Sequence, residues 1–273
     1  MADGIGGCEV MDYIFGNKKA WEEAFDHRYT NWGEDNYKIL LNEKLPFFSD
    51  DVIKELTKID FKGKTIAQFC CNNGRELLSL MQLGAEYGIG FDIAENIILQ
   101  AQETAKKIGC RNCEFTALNI LDIGSIYSNK FDFIFFTIGG ITWFKDLNLL
   151  FGKVSDCLKP DGIMFINDFH PFVNMLPLPK EDSYDKANLN KIAYSYFRTE
   201  PWIENNGISY ISPFYKSKTF TSYTHTLSDI FNCTINAGMK IRAFYEYEKD
   251  VGIAGVYEDK GFPLSLILIT EKT

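Results

Sequence analysis

Strand and helix signals alternate along residues 65–167, and only layered α/β folds accept that rhythm. Residues 65–71 form a short apolar run after Lys62-Gly63-Lys64 and read as a buried strand. After Gly74 the period becomes helical, with Leu77, Leu78, Leu80 and Met81 inward. Residues 87–92 read as a second strand. Residues 94–108 read as an amphipathic helix, with Ile97, Ile98, Ala101, Ala105 and Ile108 on one face and Gly109 as its stop. Residues 113–117 and 131–136 read as further strands. Residues 147–158 are helical, closed by the turn chemistry of Lys159-Pro160-Asp161-Gly162, and residues 162–167 make the next strand. Right-handed crossovers between such units give a mostly parallel sheet with helices on both faces. Ligands of these sheets sit beyond the C-terminal ends of the strands.

The flanks obey other rhythms. Residues 1–60 read as an N-terminal helical cap, in which Trp21, Ala24, Phe25 and Arg28 share one face and Tyr37, Leu40 and Leu41 another. Pro46 is the expected start of a further helix with Val52, Ile53 and Leu56 inward. The core then spans residues 61–170. Residues 171–225 begin as loop and continue as alternating aromatic and polar residues, the pattern of an antiparallel hairpin inserted as a lid. Residues 226–273 return to the core. Thr226 and Asp229 have capping-box spacing before a helix, and two closing strands follow at 240–247 and 263–270.

The formal net charge is −9, which opposes binding to a phosphate backbone, so nucleic acid is not an expected partner. No apolar run is long enough to span a bilayer, and Met1–Val10 lacks the basic and apolar regions of a secretory leader. The seven cysteines show no disulfide rhythm. A cytoplasmic protein with reduced thiols is the expectation.

The most informative stretch is Ile66-Ala-Gln-Phe-Cys-Cys-Asn-Asn-Gly-Arg-Glu76, with Asp92 placed eighteen residues after Gly74 at the end of the next strand. A tight turn after one strand and a carboxylate ending the next is the logic of a nucleoside site, where the acid accepts hydrogen bonds from ribose hydroxyls. The stretch resembles motif I of the class I S-adenosylmethionine-dependent methyltransferases, in their small-molecule branch. Aligned on Gly74, Gln68 stands at the acidic position of that motif and Cys70 and Asn72 at its first two glycines. Other landmarks follow in order: Gly90-Phe-Asp92-Ile-Ala-Glu, Ala117-Leu-Asn119-Ile-Leu-Asp122, Phe131–Ile138 and Leu158-Lys-Pro-Asp-Gly162. The resemblance implies a Rossmann-like sheet of seven strands and S-adenosyl-L-methionine as cofactor. It implies Phe69, Cys70, Asn72, Asn73 and Gly74 at the turn, Asp92 as ribose ligand and Ile93 beside the adenine. It puts Asn119 near the adenine amino group, Ile120 on the ring, Thr137 and Ile138 beside the methionine moiety, and Tyr29 as a cap.

A sulfonium already activates its methyl group, so the protein must chiefly align the reactants and exclude water. A base is needed only where the acceptor sheds a proton of high pKa. Of three histidines, His170 and His225 fall at the ligand edge of the sheet, and each reads as a general base or as a packed loop anchor. Trp143 reads as pocket wall or core; the lid aromatics Tyr194, Tyr196, Phe197, Trp202, Tyr210 and Tyr215 read as an apolar substrate wall. Asn167-Asp168 invites comparison with metal-dependent catechol methyltransferases, but Thr137 stands where their second acid is needed, so no metal is expected. Cys110-x-x-Cys113 has no second Cys/His pair nearby and does not make a zinc site. The expected activity is methyl transfer to an oxygen or nitrogen of a small molecule. Its competitors are a non-catalytic adenosyl-ligand-binding protein and an NAD(P)-binding oxidoreductase, the latter opposed by Cys70 and Asn72 where Gly-x-Gly-x-x-Gly needs glycine.

Overall fold

Apolar periodicity sets the elements, and in the computed structural model they follow in chain order as α1 (Gly6–Asp26), α2 (Asn36–Asn42), α3 (Asp50–Leu56), β1 (Thr65–Phe69), α4 (Arg75–Met81), β2 (Tyr87–Asp92), α5 (Glu95–Lys107), β3 (Cys113–Ala117), β4 (Phe131–Phe136), α6 (Leu147–Cys157), β5 (Leu158–Phe169), β6 (Trp202–Glu204), β7 (Phe220–Ser222), α7 (Leu227–Asn236), β8 (Met239–Tyr247) and β9 (Ser265–Lys272). The structure describes residues 6–179, 181–252 and 255–273, with side chains from residue 13 onward. The first five residues of the stretch read for a leader lie outside them. No described helix is long and apolar enough to cross a membrane.

Seven strands form one sheet in the order β3-β2-β1-β4-β5-β9-β8. β2 pairs with β3 and β4 with β5 in parallel, whereas β9 runs antiparallel to both β5 and β8. This is the Rossmann-like, mostly parallel sheet expected from the sequence. The chain divides into two compact units, one of residues 1–63, 67–122 and 201–222 and the other of residues 64–66, 123–200 and 223–273. In the first, Phe69 meets Phe91 edge-on, and Ala94 and Ile97 of the α5 start pack on Phe25. In the second, Phe133, Phe135 and Phe165 pack ring on ring. Each buried ring contributes about 2–3 kcal/mol by leaving water.

Three local expectations are revised. α3 starts after Ser49, whose hydroxyl accepts the Val52 N–H, and not at Pro46. The turn read at 159–162 lies within β5, where Asp161 takes a φ of 60° and the register against β4 shifts. The aromatic alternation of 191–200 carries no strand; only β6 and β7, three residues each, pair antiparallel. Polar ends explain this. The Tyr194 hydroxyl donates to Glu181 at 2.6 Å, and the Tyr196 hydroxyl accepts the Leu227 N–H at 3.0 Å. Both rings are tied to loop and helix-cap groups instead of to a ladder.

Candidate cofactor-binding site

In the first unit, β1 ends at Phe69, which is fully buried and offers no surface to a ligand. The chain then turns through left-handed residues: Cys70 at φ 57°, Asn72 at 49° and Gly74 at 73°. Cys70 and Asn72 thus take the handedness that glycine adopts most easily. The Asn72 side chain closes the bend by accepting the Asn73 N–H at 2.8 Å, and Gly74 N–H donates to Cys71 O at 2.9 Å. Gly74 itself is irreplaceable by geometry. A Cβ there would lie 2.3 Å from the Phe115 ring.

Asp92 ends β2 and is fixed to this turn. One carboxylate oxygen accepts the Asn72 N–H at 2.8 Å and the other the Ala94 N–H at 3.1 Å. Burial pushes its carboxyl up, while the N–H groups of Ala94, Asn72 and Ile93 pull it back down. Each oxygen keeps acceptor capacity beyond these bonds, which suits a vicinal diol. Ile93 is half-buried and Ile120 nearly fully buried. Asn119 makes local bonds, donating to Asp122 at 2.9 Å and accepting the Leu121 N–H at 3.2 Å. Asn73 is 2% exposed and donates to Gln100, which in turn donates to Trp32 O, so its side chain serves to hold the N-terminal segment. Tyr29 is 46% exposed, and its N–H donates to Ile211 O.

In the second unit, Thr137 and the exposed Ile138 follow β4. The loop they open is held by Asp168, a residue the sequence singled out only for metal chemistry. Its buried carboxylate accepts the N–H groups of Gly139 and Ile141. Burial pushes this carboxyl up to about 6, against the downward pull of the N–H groups of Gly139, Phe169, Ile141 and Gly140. A folded-state value above the unfolded one means that the protonated acid favours folding. That contribution is complete below about pH 4 and is lost as pH rises through about 6, amounting to about 3 kcal/mol. Urea unfolding of wild type and Asp168→Asn between pH 4 and pH 8 should therefore show the variant gaining relative stability as pH rises. A pH-independent difference would refute the shift.

His225 lies close behind. Its Nε2 is 2.9 Å from Phe144 O, so the fitting tautomer carries the proton on Nε2 and leaves Nδ1 an acceptor. Burial lowers its pKa, which keeps it neutral. His170 is differently engaged. Its Nδ1 accepts the Phe172 N–H at 3.1 Å and its Nε2 lies 2.9 Å from Glu246, with burial lowering and Glu246 raising its pKa. Trp143 is half-buried in a single 3-10 turn over Ile141–Trp143. Among the described residues, no three His, Cys, Asp or Glu side chains gather as a metal cage.

A sheet of this order, with a left-handed turn after β1 and a carboxylate ending β2, is the fold of the class I S-adenosylmethionine-dependent methyltransferases. Residues 60–219 match the family of the methyltransferase domain, and the chain belongs to that family. The fold is shared with a Listeria monocytogenes protein solved as a candidate S-adenosylmethionine-dependent methyltransferase, at TM-score 0.62 and 18% identity over 81% of this chain and 97% of that one. It is shared as well with magnesium protoporphyrin IX methyltransferase from Synechocystis, solved with S-adenosylhomocysteine, at TM-score 0.56 and 12% identity over 97% and 99% of the two chains. In sequence, a tRNA U34 carboxymethyltransferase of Campylobacter lari is 26% identical over 111 residues, 41% of this chain and 37% of that protein.

Proposed function

We propose that the chain moves a methyl group from S-adenosylmethionine to an oxygen or nitrogen atom of a small molecule. The observation that carries the reading is Asp92, a carboxylate tied by the Asn72 N–H to the left-handed turn after β1 and held by the Ala94 N–H at the start of α5. It accepts the ribose hydroxyls, Ile93 and Ile120 flank the adenine, and backbone of the turn meets the amino-acid end. The residues present fit such a ligand, because Cys70, Asn72 and Gly74 all hold the backbone conformation a close approach requires. When bound, the cofactor supplies a methyl group already activated on a sulfonium. A neutral His225 takes the proton that the acceptor atom sheds, through Nδ1. Trp143, Tyr194 and Tyr196 offer aromatic surface to the acceptor, and His170 stands as the second candidate base.

A net charge of −9 supports a small acceptor over a nucleic acid. The partial likeness to a tRNA-modifying enzyme makes RNA the sensible control. Incubation with methyl-labelled S-adenosylmethionine should pass label to members of a panel of small alcohols, phenols and amines. Label found only on added tRNA would overturn the small-molecule reading. Label nowhere, with no binding of S-adenosylhomocysteine, would overturn the enzymatic one.

A further inference from the structure

Residues 201–222 are tied to the N-terminal helix at several points, all inside the first unit. Asn17 and Thr221 exchange two buried hydrogen bonds, of 2.8 and 2.7 Å, across 204 residues of sequence. Phe220 meets Trp21 edge-on at 5.7 Å, and Lys218 reaches Glu23 through both its ammonium and its N–H. The rings of Tyr215 and His27 lie 4.2 Å apart. Ile211, fully buried, accepts the Tyr29 N–H at 2.8 Å. The segment is thus a strap fastened to α1 and to the turn after it.

Tyr210 sits beside that last fastening, so its backbone has little freedom. Its residue surface is nonetheless 57% exposed. The hydroxyl lies 3.4 Å from Asn72 Nδ2, in the left-handed turn, and the ring centroid is 6.5 Å from that of Trp32. Desolvation of the hydroxyl pushes the phenol up, and Arg75, Glu76 and Asp92 also act on it electrostatically. An aromatic ring is therefore held, largely uncovered, next to the turn and near the carboxylate assigned to the ribose.

The geometry points to Tyr210 as a cofactor-binding residue: the strap carries its ring to the turn that receives the adenosyl ligand, and the ring packs on the bound ligand. The inference rests on the proposed reading of Asp92 and the turn. The ring supplies the effect, because a 3.4 Å contact to Asn72 is long for a hydrogen bond whereas ligand contact would take much of the exposed aromatic area out of water. This gives the strap a role toward the cofactor, and it leaves Tyr29 to offer its backbone N–H to the strap.

Calorimetric titration with S-adenosylhomocysteine tests it. Tyr210→Ala should bind about tenfold more weakly than wild type and Tyr210→Phe within about threefold of it, with unliganded melting temperatures alike. A Tyr210→Ala affinity within twofold of wild type would overturn the inference. Nitration of Tyr210 by tetranitromethane in the wild-type chain gives a readout free of any folding defect. Saturating S-adenosylhomocysteine should protect the ring, and an unchanged nitration rate would overturn the proposal. The two readings separate cleanly. If wild type binds and Asp92→Ala weakens binding while Tyr210→Ala does not, only the role of Tyr210 falls. If wild type does not bind S-adenosylhomocysteine at all, both fall.

Discussion

Replacing Asp92 with alanine should lower the affinity for S-adenosylhomocysteine about a hundredfold, as measured by calorimetry. Hydrogen bonds from a hydroxyl to a carboxylate are stronger than neutral ones, at about 1.5–3 kcal/mol each, and in the proposed site two ribose hydroxyls would share this acceptor. The substitution also strips the Asn72 and Ala94 N–H groups of their partner, so the turn loses the tie that keeps it in register with the end of β2. Asp92→Asn should fall between the two, because its amide nitrogen cannot accept either N–H. An Asp92→Ala protein that bound like wild type would remove the nucleoside site from this position.

Gly74→Ala should cost about 3 kcal/mol of folding stability, read as a shift of the urea midpoint. Two penalties combine. The residue sits at φ 73°, where a side chain is strained by about 1–2 kcal/mol. The new methyl group would also meet Phe115 Cε1 at 2.3 Å and Ala101 Cβ at 3.0 Å, and a packed core resists such insertion by about 1–3 kcal/mol. Phe115 cannot retreat easily, since Gly90 already yields its own Cβ position to the same ring. A midpoint unchanged by the substitution would mean that the turn is looser than described.

Much of this was legible in the residues themselves. β2, β3 and β4 fall on the expected residues because short β-rich apolar runs bounded by turn residues leave little freedom. α7 starts where Thr226 and Asp229 predict, and both reciprocal capping bonds form. Asp92 reaches the turn after β1, as its position in the chain suggests. What failed was non-local. No period in the sequence announces that Thr221 clasps Asn17, or that Tyr210 stands against Asn72, because each pairing joins segments far apart. Asp168 was visible as an acid near the end of β5, but its role depends on the N–H groups of a loop from another strand. The turn residues at 159–162 misled for the opposite reason. Their local preference for a bend is real, and β5 absorbs it as an irregularity in its pairing with β4.

The bend at Cys70 and Asn72 has a consequence for how chains of this kind are recognised. Letter-based signatures of the fold demand glycine there, yet here a thiol and an amide occupy an unusual backbone hand that asparagine tolerates better than most residues. The surrounding framework sustains that torsional burden. In exchange, the turn after β1 gains two functional groups that glycine would leave out, so departures from the consensus at such places add chemistry and should not be taken as signs of decay.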